Sequence, residues 1–114
     1  MRDIELTKNA KKDFSRIRDK DKDVELAAEV AHALKRFEKE EDELLGIVTI
    51  KGRKHKINEI KIYSPQGCRI FYYYKKGGKY YILGIRKKKS NLFNSQYFDK
   101  LDRIIDNLTE ENNI

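Results

Sequence analysis

The sequence has no tryptophan and only one cysteine, one proline and one methionine in 114 residues. A lone Cys68 excludes an internal disulfide framework. No Cys/His cluster has zinc-ligand spacing, so neither a structural metal nor another cofactor is expected, and a reducing cytoplasm is the expected setting. No run of 18 apolar residues occurs, which rules out a transmembrane helix and a membrane partner of that kind. The opening MRDIELTKNAKKDF is acidic in part and lacks an apolar stretch, so a secretory signal is not expected. Repeats and linkers are also missing, and the length suits one domain over residues 1–114.

One further shortage is local. Gly46 to Lys89 hold a single acid, Glu59, against 13 lysines and arginines, a net of +12. Met1 to Leu45 carry 11 basic against 13 acidic residues, and Ser90 to Ile114 carry two against five. A compositional bias would have spread evenly, so the middle segment reads as the electrostatic footprint of a phosphate-rich or acidic partner.

Hydrophobic periodicity divides the chain. Ile4 and Leu6 alternate as in a short strand, and Thr7 can cap a helix whose apolar face is Ala10, Phe14 and Ile17. Asp21 or Asp23 can cap a longer helix with the stripe Ala27, Val30, Ala31, Leu34 and Phe37. From Gly46 the period falls to two. Ile60 and Ile62 face one way, with Glu59, Lys61 and Tyr63 opposite. Ile70, Tyr72 and Tyr74 share one face of the next strand, Arg69, Phe71 and Tyr73 the other, with Tyr72 and Tyr74 expected in the core. Gly77 and Gly78 suit a tight hairpin into KYYILGIR, a central strand. SPQG reads as a turn. Asn94 or Ser95 can cap a last helix with the stripe Phe98, Leu101, Ile104, Ile105 and Leu108, followed by a frayed TEENNI tail.

The expected fold is therefore α+β: two N-terminal helices on an antiparallel β-meander, then a C-terminal helix. The face away from the two helices would present Lys61, Arg69, Phe71 and Tyr73, with Arg86 to Lys89 close by. Cations bind phosphates and aromatic rings stack unpaired bases, so this face suits RNA. Lys61 and Arg69, on neighbouring strands, can bracket one phosphate.

The motifs NEIKIY, GCRIFYY and YYILGIRKKKS, in that order and after an IKG, resemble the RelE/ParE toxin superfamily of type II toxin–antitoxin systems, most closely its HigB and phage-derived HigB-like branch. That resemblance implies a ribosome-dependent, metal-independent endoribonuclease that cleaves mRNA and is neutralised by a cognate acidic antitoxin. Carried over by position, Lys61, Arg69, Lys87 and Lys88 would be its catalytic, phosphate-handling groups. Arg53, Lys54, His55, Tyr73, Arg86, Lys89 and Tyr97 would be RNA-binding. The general base stays open between Glu59, His55, Lys61 and a tyrosine. Glu59 also reads as a plain salt-bridge partner, and His55 as a bystander among cations. No Thr-x-x-x-Pro follows the lysines, and Tyr97 or Phe93 matches the family's last tyrosine only loosely. A ParE-like gyrase poison and a non-catalytic RNA-binding module remain alternatives, since fold does not fix function.

Overall fold

The computed structural model describes residues 1–63, 67–87 and 95–110. Its elements are β1 (Asp3–Leu6), α1 (Lys8–Ser15), α2 (Val24–Glu38), β2 (Gly46–Thr49), β3 (Asn58–Ile62), β4 (Cys68–Lys75), β5 (Lys79–Lys87) and α3 (Ser95–Glu110). A π-turn, Arg16–Lys20, prolongs α1. Thr7 caps α1 through the Ala10 amide, and Asp23 caps α2 through the Leu26 amide. Ser64, Pro65 and Gln66 of the SPQG turn and the Asn94 cap lie outside the described residues, as does the end of the tail.

The sheet order is β1-β5-β4-β3-β2. β2 to β5 form the antiparallel meander, but β1 runs parallel to β5, so the sheet is mixed and not purely antiparallel. The helices return the chain across one face before the meander begins, the crossover that parallel neighbours need.

That face carries the first core. Leu26, Val30, Ala33 and Phe37 of α2 follow a four-three-four spacing and pack with Ile60, Ile70, Tyr72, Ile82 and Ile85. Ala31, expected in the stripe, is exposed, and Ala33 takes its place. Tyr72 is buried, whereas Tyr74 is 43% exposed near the hairpin end, where its ring stacks on Tyr80 at 4.5 Å. Cys68 lies in this core, and burial pushes its thiol up to about 12. The thiolate is the reactive form. Ellman's reagent at pH 8 is therefore expected to label Cys68 only as fast as the protein unfolds, and at once in urea. Rapid stoichiometric labelling of the native protein would contradict this placement.

The opposite face is not open along its length. Tyr97, Phe98, Leu101 and Ile105 of α3 cover Ile57, Phe71, Tyr81 and Leu83. Phe71, expected on an exposed stacking surface, is fully buried, its ring edge-on to Phe98 at 5.5 Å. An amphipathic helix must bury its apolar stripe, and these sheet residues are its apolar partner.

The edge of β5 is closed in two ways. β1 pairs with Lys79 to Ile82 only. Beyond that, side chains of α1 replace a strand: Thr7 Oγ1 donates to the Ile82 carbonyl (2.9 Å), Asn9 Nδ2 donates to the Leu83 carbonyl (2.9 Å), and Asp13 Oδ2 accepts from the Ile85 amide (2.9 Å). Gly84 permits the approach. A Cβ there would stand 2.5 Å from the Tyr97 hydroxyl and 3.1 Å from Asn9 Nδ2. Burial pushes the Asp13 carboxyl above its ordinary range, opposed by the Ile85 amide and by Arg16, Lys100 and Arg86.

Candidate nucleic-acid interface

Three cations share one row across the sheet. Lys61 on β3 pairs with Arg69 on β4, which pairs with Arg86 on β5. Neighbouring strands lie about 4.8 Å apart, so the row sets positive charges at close, regular intervals. Their strand neighbours Ile60, Ile70 and Ile85 are buried under α1 and α2. Alternation therefore sends all three to the other face, where they are partly exposed.

A bulge decides which basic residue of β5 joins the row. Tyr72 pairs with Ile82 and Phe71 with Gly84, leaving Leu83 as the extra residue. Leu83 and Gly84 thus both face α3, and the alternation restarts one residue late. Arg86 comes to lie beside Arg69, and Lys87 turns to the opposite face, beside Cys68. There Lys87 pairs with Asp21 (3.2 Å) and Asp23 (3.3 Å). The expected grouping of Lys87 with Lys61 and Arg69 is corrected accordingly. Lys88, Lys89 and Phe93 lie outside the described residues.

Both arginines of the row have support. The Arg86 guanidinium lies 4.5 Å from the centre of the Tyr97 ring, a cation–π contact. Tyr97 is itself buried, and burial pushes its phenol well above the ordinary range. It supports Arg86 from below and does not present its hydroxyl to solvent. Arg69 Nε is 3.7 Å from Glu59 Oε2. Glu59 is 4% exposed, so it fits the counter-ion of Arg69 better than a base in contact with substrate. Its Oε2 accepts no hydrogen bond among the described residues. A buried polar atom left in that state calls for a functional or structural reason.

Tyr63 belongs with the row but was not among the expected site residues. It is 73% exposed, and its hydroxyl lies 3.4 Å from where a Cβ on Gly46 would stand, beside Lys61. Its alternation with Glu59 and Lys61 was the available signal. Lys61, Ile62, Tyr63, Cys68 and Arg69 line a small hollow of about 70 Å³ where the end of β3 meets the start of β4. This end of the face thus combines cations with an exposed ring.

The other expected RNA contacts are engaged elsewhere. Arg53 pairs with Asp99 and, at 3.0 Å, with Asp102. Lys54 Nζ and His55 Nε2 both reach Asp106, at 3.0 and 2.8 Å. The His55 amide donates to Asp102 at 3.3 Å. His55 and then Lys54 hold the Asp106 carboxyl below its usual range. The basic loop before β3 is therefore bound to one face of α3, which answers the charge of Arg53 and Lys54. Asp99, Asp102 and Asp106 recur at helical spacing, a signal not used in reading the sequence. Tyr73 is half-buried beside the same latch, its ring 5.8 Å from His55. Among the described residues, no group of three His, Cys, Asp or Glu side chains is arranged to hold a metal, and no helix is long and apolar enough to cross a membrane.

No curated protein and no solved structure matches the chain. A family model described as phage-derived protein Gp49-like (DUF891) matches residues 13–108, which span α2, every strand of the meander and most of α3. The chain belongs to this phage-derived Gp49-like family, which is RelE-like and toxin-like in type.

Proposed function

We propose that this protein is the toxin of a type II toxin–antitoxin pair, of the HigB-like branch, and that it cleaves messenger RNA on the ribosome. The observation that carries the reading is the in-register row Lys61, Arg69 and Arg86, partly exposed and backed by Glu59 and Tyr97. In RNA self-cleavage the 2′-oxygen forms a bond to the adjacent phosphorus, the bond to the 5′-oxygen breaks, and a 2′,3′-cyclic phosphate remains. The 2′-hydroxyl gives up its proton and the departing 5′-oxygen gains one. The phosphorane between them carries more negative charge than the diester. Fixed cations therefore stabilise it more than the ground state, which accelerates the step. In this reading Arg69 and Arg86 hold its non-bridging oxygens and Lys61 sits at the edge of the same phosphate. Exposed Tyr63 offers a stacking surface for a flanking base. A cognate antitoxin of acidic character would complement the same face.

Primer extension on total RNA after brief induction tests the reading. New, defined 5′ ends inside coding regions are expected. Intact messages together with induced DNA damage would overturn it in favour of a gyrase poison.

A further inference from the structure

Net charge along the chain hides a second basic surface. Lys8, Lys11 and Lys12 lie exposed on α1, within a segment of net negative charge. Folding brings them to α3: Lys8, Asn9, Lys11, Lys12, Ser15 and Lys100 line an open groove of about 630 Å³. No carboxylate lines it. Among the described residues, none of these four lysines forms an ion pair. This contrasts with Arg53, Lys54 and Lys87, each tied to acids of this chain.

The groove adjoins the cation row. Lys100 stands about one helical turn beyond Tyr97, whose ring carries Arg86. Asn9, in the groove wall, is hydrogen-bonded to Leu83 of the bulge. Lys100 and Arg86 are both near enough to act electrostatically on the same buried carboxylate, Asp13.

We infer that the α1–α3 groove is a second contact for the phosphate backbone of single-stranded RNA, which passes from the Lys61–Arg69–Arg86 row over Lys100 onto Lys8 and Lys12. The inference rests on the RNA-cleaving reading above and extends it. The lining decides the occupant. Lysine is a strongly hydrated point charge that holds phosphate without fixing a base, so the contact is independent of sequence. A protein partner would need aromatic or aliphatic anchors at the centre of its interface, and the lining has none.

The test compares wild type with a Lys8→Glu, Lys12→Glu, Lys100→Glu variant, in fluorescence anisotropy with labelled oligouridylates of about four and about twelve nucleotides. All three positions are exposed, and circular dichroism checks that the variant is folded. For the longer RNA, affinity is expected to fall by about tenfold or more. The slope of log affinity against log salt should fall by about 2, from three lost contacts at about 0.7 each. The shorter RNA, held by the row alone, should bind as before. Equal affinity and slope for the longer RNA, an equal loss for both lengths, or wild type that binds neither would each overturn the groove assignment. Cleavage is scored separately on ribosomes. Groove-dependent binding without cleavage would end the nuclease reading alone, and cleavage by a protein indifferent to the groove charges would end the groove assignment alone.

Discussion

Replacing Arg69 with alanine is expected to slow single-turnover RNA cleavage by a hundredfold to a thousandfold. The magnitude follows from losing one fixed donor to a developing anion, about 2.7–4 kcal/mol. Binding should suffer less, by about tenfold, because a single phosphate contact contributes to the ground state and the transition state alike. The variant needs care, because Arg69 is also the counter-ion of buried Glu59. Removing only one partner leaves a carboxylate in a poor environment, at a cost of about 1–3 kcal/mol. The double variant Arg69→Ala, Glu59→Gln removes that charge as well and should recover much of the lost stability without recovering the rate. Arg69→Lys keeps the charge but loses the two-pronged geometry, so it should restore binding more than cleavage. The measurement is cleavage of a defined message on loaded ribosomes at saturating protein, with urea denaturation as the stability control. A folded Arg69→Ala protein cutting at the wild-type rate would remove Arg69 from the mechanism.

Asp102→Ala is expected to destabilise the fold by about 3 kcal/mol, the scale for breaking a largely buried ion pair. Asp102 is 7% exposed and accepts from Arg53 Nε and from the His55 amide, so its loss leaves those two donors short of a partner on the docked face of α3, while Arg53 keeps Asp99. A lower urea midpoint with an unchanged slope is expected. An unchanged midpoint would show that apolar packing alone holds α3. The same latch sets a pH dependence. The Asp106 carboxyl lies below its ordinary range because His55 and Lys54 favour its charged form. An acid whose folded value is depressed stabilises the protein above its unfolded value of about 3.9, and that contribution is lost as pH falls through there to the lower folded value. Acid should therefore loosen α3. Asp106→Asn should flatten that part of the stability–pH curve, and a curve identical to wild type would contradict the assignment.

The meander was legible because Ile60 with Lys61, and Ile70 with Arg69, alternate at the period of a strand with one buried face. The same alternation placed Lys61 and Arg69 away from α1 and α2, as found. Three things could not be read locally. The bulge at Leu83 leaves no periodic trace in a strand that is apolar on both sides, yet it brings Arg86 into the row and takes Lys87 out. The docking of α3 depends on ion pairs between residues 46 to 52 apart, from Arg53–Asp99 to Lys54–Asp106; the helical spacing of the three aspartates marks one face of α3, but nothing near them names the loop that it meets. The parallel seat of β1 is also a matter of chain path rather than of composition. An excess of basic residues in one segment was real, but folding paired part of it with α3 and brought another basic set from α1 to the surface.

The closure of β5 by α1 also bears on how the chain avoids self-association. The segment Tyr80-Tyr81-Ile82-Leu83-Gly84-Ile85 is apolar, uncharged and free of proline, the composition that favours intermolecular strand stacking. Left bare, the second half of β5 would offer unpaired amides and carbonyls to another copy. The Thr7 amide and hydroxyl close the Ile82 carbonyl, and past it Asn9 and Asp13 occupy those groups with side chains, which, unlike a further strand, present no new backbone edge beyond themselves. The two outermost strands of the sheet, β1 and β2, are each only four residues long. The first helix thus acts as a guard against aggregation as well as a lid on the core.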